Sequence, residues 1–376
     1  MTLALVSIGI RDFRNVARAE LHVAAPGMVI VGPNGHGKTN LLEAIRYLHT
    51  LRSVRGARDA DLVRFGAEAF HVGAHVTGAV VDEVGVGFAR VARRKKVVLD
   101  GVECLRLADA FGALPSVMFS PRDVELVAGP PAERRRFLDI ALATTSRRYL
   151  TALQRYRAAL VRRNATLREA ARRTPTDASA RVAVWEPALA DAGATLWCER
   201  VRWSVWAAPR LEALCAAIGE RQRVTLDYHT LLSVEGSDTG DEATVRDRLA
   251  MSFERDRAQD LKRALTHSGP HRDDLSLKLG GRSLRTFGSA GQQRTTAIAL
   301  RLLERETLYE QTGHIPLVLL DDPFAELDVD RARRILRVLA DGPAGQTFLV
   351  VPRTDDVPAE YTSLDRRHIL DGVLDA

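Results

Sequence analysis

"VIVGPNGHGKTNLLEAI" (Val29–Ile45) decides how the rest of the chain is read. The apolar run Val29-Ile30-Val31 enters a loop of Gly32, Pro33, Asn34, Gly35, His36, Gly37, Lys38 and Thr39. The loop leaves into a segment with apolar residues at 41, 42, 45 and 48, one face of a helix. Strand, Gly-x-x-x-x-Gly-Lys-Thr, helix is the order a phosphate loop requires. Its glycines let successive backbone N–H groups face one anion, and the helix N-terminus adds a favourable dipole. Lys38 is the cation expected on the β- and γ-phosphates, and the Thr39 hydroxyl a ligand for magnesium. His36 fills a variable position of the pattern.

A second half-site lies near the other end. "PLVLLDDPFAELD" (316–328) is an apolar strand ending in two aspartates. Adjacent like charges at the end of a buried strand are costly unless a cation compensates. Asp321 is expected to hold magnesium through water, and Asp322 to polarise the water that attacks a γ-phosphate. Most of the chain separates Lys38 from Asp321, yet both must reach one phosphate. What lies between is therefore inserted into a single α/β unit, an excursion that simple kinases and small GTPases do not need. "FGSAGQQRTTAIAL" (287–300) is another glycine loop leading into a helix, where Ser289, Gly291 and the helix start could bind a phosphate. The first loop already cradles the chain's own nucleotide, so the expected partner of this loop is a nucleotide on a second copy.

Outside these sites, 3–10, 18–23, 28–31, 69–78, 84–91 and 96–105 read as strands, the last turning at Asp100-Gly101. From 132 to 173 and from 182 to 218 the chain is rich in alanine, leucine and arginine at helical spacing, with Pro187 and Pro209 the only breakers and a loop at 173–180. These helices are too short and irregular for a long coiled coil. A loop at 233–240 precedes a helix over 241–265; a hairpin at 274–287, a helix at 290–310, a strand at 316–320, a helix at 330–340 and a strand at 346–351 close the pattern. No apolar run is long enough to span a bilayer, and three scattered cysteines make neither a disulfide framework nor a zinc site.

The residues above resemble the ATP-binding cassette head in its chromosome-maintenance branch, carried by 32–39, Ser289-Ala290-Gly291-Gln292-Gln293, Asp321-Asp322 and Glu326-Leu327-Asp328. "DFRN" (12–15), "GKTNLLEAI" (37–45), "FSPRDVELVAGPPAERRRFLD" (119–139), "SGPHRDDL" (268–275) and "GSAGQQR" (288–294) narrow the resemblance to the RecF family of bacterial recombination mediators. The implied fold is an α/β cassette-type head, 1–120 with 268–376, interrupted by a mainly helical insertion domain at 121–267. The implied cofactors are ATP and Mg2+. Ser289 through Gln292 would form the signature that closes over the partner subunit's ATP, and Asp328 lies in the loop that senses the dimer interface. The resemblance further implies an ATP-induced homodimer in the cytoplasm that clamps gapped duplex near single-strand junctions, hydrolyses ATP slowly, and acts with RecR and RecO to place RecA. Two departures stand out. The family usually has an acidic residue where this chain has Arg122, and the histidine that many cassette ATPases carry after the last core strand is missing from "TFLVVPRTDD" (347–356).

The net charge is +6, and only five of the 54 basic residues are lysine, as expected of a GC-rich genome. Position says more than number: 134–173 holds twelve arginines against two acids, Asp139 and Glu169. Such a strip attracts a DNA backbone without reading its sequence, with Arg147, Arg148, Arg155 and Arg162 as candidate contacts. The plain alternative is a solvated helical face. "ARRKK" (92–96) is a second basic cluster. Against an ATP-gated DNA clamp stand two other classes. A transporter's motor subunit shares the nucleotide motifs but usually lacks so large an insert. A phosphate-loop kinase has no use for "SAGQQ".

Overall fold

The computed structural model describes residues 3–173, 177–232, 241–324, 327–342 and 345–375. Residues 174–176 of the expected loop at 173–180, the loop at 233–240 and Glu326 lie outside the described residues. Strands are numbered along the chain, as are helices of thirteen residues or more. Two compact units emerge: Met1–Val124, Ala217–Glu220 and Arg294–Ala376 form the first, and Glu125–Ala216 with Arg221–Gln293 the second. The second unit thus begins close to the expected start of the insertion and runs on beyond 267, taking Ser289 with it.

In the first unit, alternation at the N-terminus produces β1 (Ala4–Phe13) and β2 (Val16–His22), an antiparallel hairpin. β3 (Gly27–Val31) leaves for another sheet, while β4 (Ala69–Thr77), β5 (Glu83–Ala89), β6 (Arg94–Leu99) and β7 (Val102–Glu103) complete a six-stranded sheet in the order β2-β1-β4-β5-β6-β7. β8 (Ser116–Phe119), β12 (Leu317–Asp321), β13 (Thr347–Val351), β14 (Asp365–Leu370) and β15 (Val373–Leu374) join β3 in a second sheet, β15-β14-β3-β13-β12-β8. Its strands are parallel except for the terminal β14–β15 hairpin. As in most parallel sheets, the central strands are apolar throughout: β3, β12 and β13 are buried at every residue. β14 was not anticipated. Its sequence, DRRHIL, has no apolar alternation, yet it pairs with β3 over Asp365–His368.

Helix α1 (Lys38–Thr50) is buried along nearly its whole length and shares its core with both sheets. Its polar side chains therefore need partners. Glu43 accepts from Arg14 and from the Ser53 hydroxyl, and Arg46 pairs with Glu304. Gln346 ties the sheets together: its Oε1 accepts from Leu5 N–H at 2.7 Å, and its Nε2 donates to Leu5 O and Ala24 O at 3.0 Å each.

The second unit carries α2 (Pro131–Ala143), α3 (Arg147–Arg173), α4 (Glu186–Ile218) and α5 (Glu242–Arg263), together with a three-stranded sheet of β9 (Val224–His229), β10 (Asp274–Leu279) and β11 (Arg282–Ser283). Two expectations are corrected here. The helical stretch from 132 to 173 breaks at Thr144–Ser146, where the Thr144 and Thr145 hydroxyls donate to carbonyls of the preceding turn. The strand β9 was missed altogether. Two further helices, α6 (Ala290–Thr312) and α7 (Val329–Asp341), complete the set.

Candidate nucleotide site

The phosphate loop leaves the carboxyl end of β3, and Asp321-Asp322 leaves the same end of β12, with β13 between them. In an open parallel sheet this edge is where ligands bind. Gly37 takes φ +104, and a Cβ there would stand 2.8 Å from Asn15 Oδ1. At Gly32 a Cβ would overlap the carbonyl of Ile369. Close backbone approach thus requires glycine at position 32, and the left-handed φ favours it at position 37.

Lys38 is almost buried. Its Nζ donates to the carbonyls of Gly32 and Pro33 and to Asn34 Oδ1, which holds the ammonium inside the loop. Burial lowers its pKa, and the charges of Asp321 and Asp322 oppose that. Thr39 Oγ1 donates to Asp321 Oδ1 at 2.8 Å. This pair of hard oxygens, beside a backbone cradle, fits a magnesium–triphosphate group. Burial also raises the Asp321 carboxyl, against the Thr39 hydrogen bond and the charge of Arg55. Asp322 sits at φ +46, a left-handed conformation that aspartate tolerates, with its N–H on Val350 O. Its pKa is raised by burial and then by Asp356, against Lys38 and Arg294. Asp356 comes from the turn Thr354–Asp356 that follows β13, the segment where the cassette histidine was expected and is absent.

His36 has a bracing contact within the structure. Its Nδ1 accepts from Asp371 N–H at 3.1 Å and its carbonyl from Gly372 N–H at 2.9 Å, which fastens the loop to the β14–β15 turn. Ser289 opens α6 through a reciprocal cap: its N–H donates to Gln292 Oε1 at 2.9 Å, and Gln292 N–H donates to Ser289 Oγ at 3.3 Å. Ser289 is exposed and Gly291 half-buried. Asp328 caps α7, accepting from Arg331 N–H at 2.8 Å.

Residues 4–364 match the family model described as the RecF/RecN/SMC N-terminal domain. A DNA replication and repair protein RecF from Chloroflexus aggregans is 36% identical over 98% of both chains, and the one from Bacillus subtilis 34% identical over 94% of each. The chain belongs to the RecF family. A solved structure described as the recombination mediator protein RecF-ATP in the RecFOR pathway superposes with a TM-score of 0.90 at 29% identity, covering 100% of this chain and 97% of the other. The Smc head domain of Pyrococcus furiosus, at a TM-score of 0.54 and 16% identity, shares the fold. The fold is therefore the cassette-type head expected from the sequence, with no long coiled coil among the described residues.

Several residues of this RecF-family site had no role assigned from sequence. Asn15, within the quoted "DFRN", accepts from Asn40 Nδ2 at 2.8 Å and lies against Gly37, so it braces the loop from β1–β2. Asp123 accepts from Arg301 Nε and Nη2 at 3.0 and 2.7 Å, Arg301 donates to Glu304 at 2.7 Å, and Glu304 pairs with Arg46 of α1. This alternating chain of charges joins the loop helix to α6 and to "FSPRD". Arg122, the departure from the family pattern, is exposed, whereas Asp123 beside it is buried.

The arginine strip divides. Arg147, Arg148, Arg155 and Arg162 are exposed, and the first three line a groove with Thr151, Asp191 and Thr195. Arg148 is held by Glu199 and Glu242, and Arg162 lies 5.4 Å from the Trp185 ring centroid. Other members of the strip face inward. Arg163 is fully buried, donating to Asp260 at 2.7 Å, Thr266 at 2.8 Å and Glu186 at 2.9 Å. Arg134 forms a two-pronged pair with Asp274 at 2.8 Å. The count of arginines in the sequence therefore overstates the solvent-facing charge.

Proposed function

We propose that this RecF-family chain is an ATP-gated DNA clamp of recombinational repair. In this reading Lys38 and the loop N–H groups hold the β- and γ-phosphates, Thr39 and Asp321 hold Mg2+, and Asp322 is the general base. Bound MgATP supplies the phosphoanhydride that is cleaved. Ser289, Gly291 and Gln292, with Asp328, act across a dimer interface on the partner subunit's nucleotide. The expected domain division follows the same reading, a nucleotide-binding head interrupted by a DNA-contacting insertion.

The observation that carries it is the Thr39–Asp321 contact, which brings together from distant parts of the chain the two oxygens that this reading assigns to magnesium. Supporting it, Ser289 stands exposed at a fully formed helix start, so it is available to an anion from outside the chain. The names of the relatives, replication and repair proteins of a recombination-mediator pathway, support DNA as ligand. The RecFOR pathway named for the solved relative supports RecR and RecO as partners, and the reading adds RecA and a cytoplasmic setting.

Hydrolysis is slow in this account because the histidine that many cassettes carry after the last core strand is missing from 347–356, and DNA stimulation belongs to the clamp reading itself. The test is the ATPase rate per chain against protein concentration, with and without gapped duplex. A rate that rises with concentration and with DNA supports a shared site. A rate independent of both overturns the clamp.

A further inference from the structure

Phe65 is 96% exposed, and among the described residues only it and Phe287 are exposed of the chain's eleven phenylalanines. A lone apolar residue in water is ordinary. This one, however, is displayed by a turn fixed on both sides. Arg64 N–H donates to Asp12 O at 2.8 Å, and Arg64 Nε donates to Asp12 Oδ1 at 2.6 Å. Ala67 N–H closes onto Arg64 O at 3.0 Å, with Gly66 at φ +82. From the end of β5, Arg90 donates to Val63 O at 2.9 Å and Ala60 O at 3.3 Å, which pins the preceding residues. The adjoining β5–β6 turn exposes Val91 and Arg93, and Arg58 is exposed at the start of the short helix Asp59–Leu62.

Acids interleave with these cations: Asp61 and Glu68 are exposed as well. The surface therefore lacks the one-sign field that holds a duplex backbone. What it offers is an exposed aromatic ring on a pinned turn, flanked by segments that expose Arg58 and Arg93, the side-chain types on which bases stack. The turn is also fastened to the nucleotide loop. Leu62 O accepts from Arg14 N–H at 2.7 Å, Arg14 pairs with Glu43 of α1 at 3.0 Å, and the adjacent Asn15 touches Gly37 and Asn40.

We propose that Phe65 is the stacking platform for an unpaired nucleobase where single strand meets duplex, and that the Asp12–Asn15 turn transmits this contact to the phosphate loop. The proposal rests on the reading of the chain as an ATP-gated DNA-binding protein. It assigns junction recognition to the head, apart from the arginines of α3.

The test uses the full chain with ATP, a gapped duplex carrying 2-aminopurine at the unpaired position beside the junction, and an uninterrupted duplex of equal length. The parent should change the 2-aminopurine fluorescence. Phe65→Ala should bind gapped DNA about fivefold to a hundredfold more weakly, the range for loss of one base–aromatic stack. Its affinity for uninterrupted duplex and its thermal midpoint should match the parent, and the extra ATP turnover elicited by the gap should disappear. Phe65→Trp should keep all three properties. If the parent binds both DNAs and Phe65→Ala binds the gapped one equally well, the platform is wrong and the clamp stands. If Phe65→Ala instead weakens ATP-induced dimers without DNA, the residue is a protein contact and the proposal falls. If the parent binds neither DNA, the functional reading fails and this inference fails with it.

Discussion

Thr39 Oγ1 donates to Asp321 Oδ1 at 2.8 Å, joining residues 282 positions apart. The hydroxyl comes from the first turn of α1 and the carboxylate from the end of β12, so the contact is made only when the parallel sheet is fully assembled. Asp321→Asn keeps the shape and the Thr39 partner but removes the negative charge that a magnesium ion needs. An outer-sphere carboxylate of this kind typically contributes tenfold to a hundredfold in metal affinity. The concentration of Mg2+ giving half-maximal ATP-dependent DNA binding should therefore rise by about tenfold or more. Chelating the metal should abolish that binding in the parent. An unshifted Mg2+ titration would place the metal elsewhere.

Asp322→Asn should leave ATP binding intact and lower turnover by roughly a hundredfold or more, as for loss of a positioned general base. The pH profile gives a finer check. Burial and the Asp356 charge raise the Asp322 carboxyl, so as pH falls it takes up its proton before an ordinary aspartate does. The acid limb of kcat/KM, which reports the free enzyme, should thus lie above the usual aspartate range. Asp356→Asn removes a like charge, lowers the Asp322 pKa and should move that limb to lower pH. A limb that stays put, or moves upward, separates Asp356 from the base.

Arginines on one helix should behave in two ways. Replacing Arg147, Arg148, Arg155 and Arg162 with glutamine should weaken DNA binding alike for all sequences and flatten its salt dependence, with ATP binding unchanged. Arg148, already held by Glu199 and Glu242, should contribute less than Arg155 when each is replaced alone. Arg163→Gln takes the arginine from the fully buried carboxylate of Asp260, while Glu186 keeps its pair with Arg257, and its cost should be about 3 kcal/mol in urea unfolding. A stable Arg163→Gln protein with weakened DNA binding would reverse these assignments.

That division also marks where sequence reading reached its limit. The phosphate loop and Asp321-Asp322 are legible because each half carries its own contiguous pattern, a glycine loop between strand and helix and paired carboxylates ending an apolar strand, although the two halves meet only in the fold. Arg163 and Arg155 cannot be told apart in this way, since the partners of Arg163 lie at Glu186, Asp260 and Thr266. β9 escaped for a related reason. VTLDYH alternates over six residues only, and what makes it a strand is pairing with β10, beyond α5. β14 carries no apolar pattern and is a strand because β3 offers an unpaired edge. Asn15 was visible as part of "DFRN", but its work on Gly37 and Asn40 becomes evident only when the β1–β2 turn is seen against the loop.

Whether two chains share each nucleotide is decided at Ser289. Its side chain and that of Gln292 cap α6 reciprocally, so a substitution there acts on helix stability as well as on any ligand. Losing an N-cap costs about 1 kcal/mol, which would cloud a test made with Ser289→Arg alone. Ser289→Asp separates the two effects, because aspartate caps as well as serine while setting a negative charge against a phosphate. It should unfold like the parent and bind ATP as a monomer, yet fail to form ATP-induced dimers. Mixing completes the argument. Chains with Lys38→Met lack the cation on their own nucleotide but keep a working Ser289, and Ser289→Arg chains have the reverse defect. Their heterodimer contains one intact composite site and one doubly broken site, so ATP turnover absent from either variant alone should return to about half of the parent rate per dimer at full heterodimer formation. If mixing restores nothing, or if parent turnover per chain holds constant down to concentrations where only monomer exists, each chain completes its own site and Ser289 has only its capping role.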